Sequence, residues 1–291
     1  FLDFTTLEKR KFYCEEELRL NRRLCGDMYI DVLPITLSRG LIKINGVGKS
    51  VEYTVKMKEL PQEALMSELL KRGKVDMDIM DEIAKILSDF HKKAETSREI
   101  ESYGSVDIVK FNWDENFSQT REFIGRTIEH QDFSFIYRAV QDFLKKRKDL
   151  FKLRQRKGRI RECHGDLHSG NIFIADRIYI YDAIEFNKRF RCCDVASDIA
   201  FLTMDLEFLN KSDLSNHFLT KYVEYSNEGE DFLEILPFYK CYRAYVRGKV
   251  TSFKLNDPNI TEEEKKRSRE TAKKYFQMSR KYAEQLSLNP N

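Results

Sequence analysis

The chain has 291 residues, enough for one large domain or two modest ones with an ample core, and its 41% hydrophobic and 34% charged residues are those of a globular protein. A formal net charge of +3 does not demand a nucleic-acid partner, and no apolar run approaches the roughly 20 residues needed to span a bilayer, which excludes a helical membrane protein. Six cysteines (14, 25, 163, 192, 193 and 241) make no C-x-x-C pair, so reduced thiols and a cytoplasmic location are expected. Thr5 and Glu8 form a capping box, and Leu7, Cys14, Leu18 and Cys25 then share one face of a helix to about residue 25. In "KINGVGKS" (43–50) a P-loop would need glycine at position 43, where Lys43 stands. "LIKI" and "SVEYTV" flank Asn45-Gly46, so 41–57 is expected to be two antiparallel strands joined by a Gly-rich turn.

Pro61 breaks that pattern, and 62–72 is expected to be helical. Ile79, Met80, Ile83, Ile86, Leu87, Phe90 and Ala94 define an amphipathic helix over 78–94. Residues 115–153 read as mostly helical, with Phe123, Ile124, Ile128, Phe135, Ile136, Val140 and Phe143 as core candidates. "IFIADRIYIYDAIEF" (172–186) reads as a short hairpin. Helices resume near 194, and the last starts at a Thr261–Glu264 capping box, burying Ala272, Tyr275, Phe276, Tyr282, Ala283 and Leu286. The order predicts an α+β fold: helix and small antiparallel sheet over 1–60, then a mostly helical body over 61–291.

The densest group of chemical residue types is "CHGDLHSGNIFI" (163–174), followed by "YIYDAIEF". A loop Asp166, an Asn171 five residues on, and Asp182 after a hairpin strand suit phosphoryl transfer. The first carboxylate accepts the proton of an attacking hydroxyl, and two hard oxygens hold Mg²⁺ against nucleotide phosphates.

"HGDLHSGN" with "YDAIEF" resembles aminoglycoside phosphotransferases and choline-kinase-like enzymes, which have the protein-kinase-like fold. "FLDFTTLEKRKFYCEEELRLNRRL", "FNWDENF" and "YDAIEFNKRFRCCDVASDIAFLTMDLEF" resemble a bacterial aminoglycoside-phosphotransferase-like family whose members are often fused to a P-loop kinase domain. The resemblance implies a partial N-terminal lobe over 1–60, a hinge near 57–60, a catalytic loop at 164–171 and a metal-binding hairpin at 172–186. It implies Asp166 as catalytic base, Asn171 and Asp182 as metal ligands, and His164 as the residue that braces the loop. Asp198 would be a buried carboxylate bonded to the loop backbone. Glu17 would pair with a phosphate-binding lysine, and Met57 to Leu60 would read the adenine. The implied activity is ATP- or GTP- and Mg-dependent phosphotransfer to a hydroxyl of a small-molecule acceptor.

In that family a Gly-rich strand pair and the lysine precede the first helix. This chain starts at that helix with Phe1, so both are expected to lie upstream, and Lys9 and Lys11 are poor substitutes. Two other classes stay open: a catalytically inactive kinase-like binding or regulatory module, and an RNA-associated protein using the basic segment 145–161. Ten of those seventeen residues are Lys or Arg, without the aromatic interleaving of single-strand binders, and a solvated helix end and loop is the preferred reading. Glu185 is expected to face solvent. His168 with His164 has H-x-x-x-H spacing, but the glycine-containing loop argues against a helical zinc pair. Cys192 and Cys193 are read as packing residues.

Overall fold

The computed structural model describes residues 3–288. The first helix, α1 (Leu7–Cys25), is capped by Thr6, whose side chain accepts from Lys9 N, so the cap lies one residue beyond the expected Thr5. Thr5 instead donates to Asp3. Three strands follow: β1 (Tyr29–Ser38), β2 (Leu41–Ile44) and β3 (Lys49–Met57).

The sheet corrects the expected hairpin. Its order is β2-β1-β3, antiparallel throughout, so β2 and β3 never pair with each other. The tight turn lies earlier, at Arg39 and Gly40, both with positive φ. Asn45 (φ 53°) and Gly48 (φ 145°) lie in the connection that carries the chain past β1 to its other edge. A Cβ on Gly48 would meet Leu37 O at 2.6 Å, so glycine is required there. β1 escapes sequence reading because Pro34, mid-strand, argues against a central strand. Two register shifts interrupt its ladder to β3, one beside Tyr29 and one after Ile35. Helix α1 packs across β3 and β1.

At 62–72 the chain makes a 3-10 turn (Gln62–Ala64) before α2 (Met66–Lys71), because Leu65 between them is extended and bridges to Phe173. Helix α3 (Met77–Lys93) starts on Asp76, whose side chain accepts from Ile79 N. It buries Met80, Ile83, Ala84 and Leu87, the i, i+3, i+4, i+7 stripe of an amphipathic helix. Helical structure then resumes earlier than expected, with α4 (Arg98–Ser102) and α5 (Val106–Thr120). Both are capped by serines, Ser97 and Ser105. Next come α6 (His130–Lys146), α7 (Lys148–Arg156) and β4 (Ile160–Glu162). The short hairpin β5 (Ile172–Ile174) and β6 (Ile178–Ile180) follows, then α8 (Lys188–Arg191) and β7 (Cys192–Asp194), which pairs with β4.

Helix α9 (Val195–Phe208) is the centre of the body: every residue from Val195 to Leu206 is buried. Its polar side chains, Ser197, Asp198, Thr203 and Asp205, are enclosed with the apolar ones, so each must find a partner inside the body. It lies against α10 (Ser212–Ser226) and α11 (Glu230–Phe253). The last helix, α12 (Glu262–Leu288), packs along α11 and α6. At its start, Glu264 N donates to Thr261 Oγ1, and Thr261 N donates to Glu264 Oε2. The architecture is α+β, a small antiparallel sheet beside a helical body. No helix among the described residues is long and apolar enough to cross a membrane.

The basic segment departs from the solvated reading at its middle. Arg154 is fully buried. Its guanidinium donates to Asp194 (2.7 and 2.9 Å), Glu228 (2.6 Å) and Asp231 (3.0 Å). Lys157 adds a bond to Asp231, and Arg159 an ion pair to Glu228. The cluster joins α7, β7 and the start of α11. Replacing Arg154 with Met leaves three buried or nearly buried carboxylates without their main counter-charge. The expected loss of stability in urea unfolding is about 3–5 kcal/mol. A loss below ~1 kcal/mol would mean water enters the cluster freely.

Candidate functional site

The loop after β4 is shaped by one carboxylate. Asp198, on the first turn of α9 and wholly buried, accepts from His164 N (2.8 Å) on one oxygen and from Gly165 N (2.9 Å) on the other. His91 Nε2 lies 3.3 Å away and adds a third partner. Burial alone would raise the Asp198 pKa, but the His91 hydrogen bond and the positive groups around it outweigh burial and hold it at about 2. Gly165 takes φ 87°, and a Cβ there would sit 3.0 Å from Phe190 O, so no side chain fits this turn. Arg243 of α11 donates to Gly165 O at 2.8 Å. Two helical turns beyond Asp198, Asp205 accepts from Ser169 N (2.9 Å) and Ser169 Oγ (2.5 Å). One face of α9 therefore anchors both ends of the loop.

His164 is buried and links the loop to the hairpin. Its Nδ1 accepts from Asp166 N, so its proton resides on Nε2, which donates to Tyr181 O at 2.9 Å. Burial lowers its pKa and keeps the imidazole neutral. His164 O accepts from Ile184 N (3.0 Å). Residues 181 and 184 are thus both fastened to His164, and Asp182 is held between them. Asp182 adopts φ 65°, a conformation costly for residues other than Gly and Asn or Asp.

Asn171 is buried; its Nδ2 donates to Asp166 O (3.0 Å) and Oδ2 (3.2 Å). That leaves the amide oxygen Oδ1 as an unused hard acceptor. His168 Nδ1 accepts from Gly170 N, which turns its Nε2 toward Asp166 Oδ2 at 3.5 Å. Burial would raise the Asp166 pKa, but His168 and then Arg247 outweigh it, and the group stays below the usual carboxylate value. Asp182 moves the other way: although the residue is exposed, partial desolvation on its cavity side, then the negative charge of Asp166, raises its pKa. Two carboxylates, Asp166 and Asp182, line one cavity of about 380 Å³. A cation between them would relieve their repulsion, and carboxylate and amide oxygens are the donors a Mg²⁺ ion takes.

Helix α1 is clamped to this loop from the other side. Glu162 accepts from Arg19 (2.8 and 3.0 Å) and from Arg191 (3.0 Å), and Arg23 donates to Glu162 O and Cys163 O. Asn21 of α1 accepts from Ala183 N at 2.8 Å, beside Asp182. The clamp points Glu17 at the same carboxylates. Burial, then the charges of Glu185 and Asp182, pushes its pKa up to about 7. Among the described residues no lysine or arginine lies within ion-pair distance of Glu17. Lys9 pairs with Asp3, and Lys11 with Glu15. Glu185 does not face solvent as expected. It is half-buried, because Arg191 Nη1 draws its carbonyl inward at 2.8 Å.

Met57 ends β3 opposite Tyr29 and is partly exposed. Leu60 is buried with Cys25, Met28, Tyr29, Phe173 and Tyr179, a small cluster joining α1, the sheet and the hairpin. Lys49 starts β3 opposite Leu37, on the sheet and not in the 380 Å³ cavity. Cys192 packs in a small core cluster, and both it and Cys193 line the cavity. Sequence reading weighed His168 only as half of a zinc pair and passed over His91, Asp205, Arg243 and Asn21. Only His168 had a local signal, its place between Asp166 and Asn171.

No protein-family model matches the chain. An uncharacterized protein of Mycobacterium bovis is 32% identical over 251 residues, which is 86% of this chain and 49% of that protein. Two uncharacterized Mycobacterium tuberculosis proteins match with the same figures. The chain spans about half the length of the curated relatives it matches. Among solved structures, a Plasmodium vivax ethanolamine kinase aligns over 93% of this chain and 72% of its own, with TM-score 0.45 and 16% identity.

Glu17 makes the stability of the fold depend on pH. With its folded pKa near 7 and an ordinary value near 4.5, the native state holds a proton that the unfolded state releases. The resulting stability is present below pH 4.5 and is lost as pH rises through 7. Glu17→Gln, neutral at every pH, is expected to leave the melting temperature unchanged at pH 4.5 and to raise it at pH 8. An equal shift at both pH values would show that Glu17 is already ionised in the native state.

Proposed function

We propose that this chain carries the catalytic loop and metal-binding hairpin of a nucleotide-dependent phosphotransferase that acts on a hydroxyl of a small molecule. The observation that supports this most is the convergence of Asp166 and Asp182 on one cavity, each fixed by buried bonds through Asp198 and His164. Asp166, ionised and a third exposed, receives the proton of the acceptor hydroxyl. Its bond from Asn171 keeps one carboxylate oxygen directed along the loop and leaves the other toward the cavity. Asn171 Oδ1 and Asp182 would hold Mg²⁺, which when bound neutralises the phosphate oxygens of ATP or GTP. Backbone groups of Met57 to Leu60 would read the base, except Lys58 N–H, which is already donated to Met28 O. Arg243 and Asp198 keep the Gly165 turn rigid while charge moves at Asp166. A phosphate-binding lysine would settle beside Glu17, where it would offset the charges of Glu185 and Asp182.

That Glu17 has no cationic partner among the described residues favours a second reading, a kinase-like module that binds nucleotide without turnover. The two separate by experiment on the purified full-length protein. Asp182→Ala is expected to abolish Mg²⁺–ATP binding in calorimetry while the far-ultraviolet circular dichroism is unchanged. Unaltered binding would remove the metal assignment. Asp166→Asn keeps the shape but takes up no proton; ADP release with an acceptor is expected to fall by about 10²-fold or more, with nucleotide affinity held. Nucleotide binding with no turnover for any acceptor would decide for the module.

Lys49 supplies an independent control for the same site. Lys49→Ala is expected to leave nucleotide affinity within about threefold. A hundredfold loss, on the order of 3 kcal/mol, would relocate the nucleotide to the Gly-rich connection.

A further inference from the structure

The cavity that holds Asp166 and Asp182 extends well beyond them, between α5, α11 and the segment before α8. Phe186, Phe190, Tyr242 and Phe253 give it an aromatic wall. Three cations of α11 line the cavity, Arg243, Arg247 and Lys249, of which Arg243 is spent on Gly165 O and Ser197. Lys249 is buried, and its ammonium donates to two neutral amide oxygens, Asn116 Oδ1 and Gln119 Oε1, both at 2.7 Å. An ammonium has three donors, so one remains. Among the described residues no carboxylate lies within ion-pair distance of it. Burial pushes its pKa down to about 8, with Glu115 opposing the shift and Arg189 adding to it. Arg247 likewise has a buried Nε without a hydrogen-bond partner.

Two of the acids that line the cavity are engaged by arginines. Arg189 of α8 takes Glu115 at 2.8 Å, and Arg154 takes Asp194. Asp166 faces His168, while Asp182 and Glu185 crowd Glu17 at the proposed metal side. A buried cation without a counter-charge is unfavourable, and an anion delivered by a ligand corrects it. A cationic group at this end of the cavity would meet the Lys249 ammonium, with Glu115 already taken by Arg189.

We propose that the cavity binds a hydroxyl compound that also carries an anionic group, a carboxylate or phosphate, with Lys249 as the anchor of that group. This rests on the reading of Asp166 as the base. Arg243 marks the Asp166 end of α11, and Lys249 lies six residues further along, about 9 Å by helical rise. The hydroxyl and the anionic group therefore sit at opposite ends of a short apolar or aromatic body.

The test compares two probes of one shape, para-(hydroxymethyl)benzoate and para-(hydroxymethyl)benzylamine, titrated by NMR into the purified full-length protein without nucleotide. The benzoate is expected to bind at least about fivefold more tightly than the amine. Lys249→Met is expected to bring the two within about twofold, and Lys249→Arg to restore the preference for the anion. Equal or tighter binding of the amine to the wild type overturns the proposal. So does no binding of either probe up to about 20 mM, or a preference that survives in Lys249→Met. If Lys249→Met fails to fold, the wild-type pair and Lys249→Arg decide. A parallel Mg²⁺–ATP titration keeps the two ideas apart. Anion preference without nucleotide binding removes the phosphotransfer reading and leaves an anion-binding cavity; nucleotide binding without anion preference removes only this inference.

Discussion

The candidate site depends on the carboxylate of Asp198. It is buried, ionised, and shared between two consecutive backbone N–H groups, His164 and Gly165. A buried charge is tolerated only when donors surround it, and here the donors are the turn itself. Unmaking the turn would strand the charge, so the loop is held by the full desolvation penalty of a carboxylate and not by a single modest hydrogen bond. From the turn, His164 reaches the hairpin through Tyr181 and Ile184, and Asp182 is set by that grip.

Helix α1 belongs to the same assembly although it lies far away in sequence. Three arginines converge on Glu162, and Asn21 touches the backbone beside Asp182. The clamp positions Glu17 without giving it a counter-charge. The result is a run of like charges, Glu17, Glu185, Asp182 and Asp166, whose pKa values are driven apart, three upward and one downward. Such a set is poised to take up cations, and divergent carboxylate pKa values are a common mark of sites that handle protons and metal ions.

The opposite sign governs the far end of the cavity. There Lys249 is buried against two amides and the Phe253 ring, and the nearby acids are held by other arginines. The site thus has a negative end and a positive end within one cavity, and this asymmetry orients any ligand bearing both a hydroxyl and an anionic group.

The local patterns were legible from the residues. The stripe Met80-Ile83-Ala84-Leu87 declared α3, Thr261 with Glu264 declared the start of α12, and the short interval from His164 to Asn171 declared a loop, because each depends on neighbours within a few positions. What tertiary structure alone decided was everything joined across long separations. Pro34 disguised a central strand, so the pairing β2-β1-β3 could not be read from turn residues. Arg154 looked like one charge in a solvated run, yet its partners are 40 to 77 residues away. His91, Asp205 and Arg243 carry no local signature, and Lys249 differs from a surface lysine only through what surrounds it. Sequence reports propensity and periodicity, which are short-ranged; burial and charge pairing are set by which distant segments meet, and that is fixed only when the chain packs.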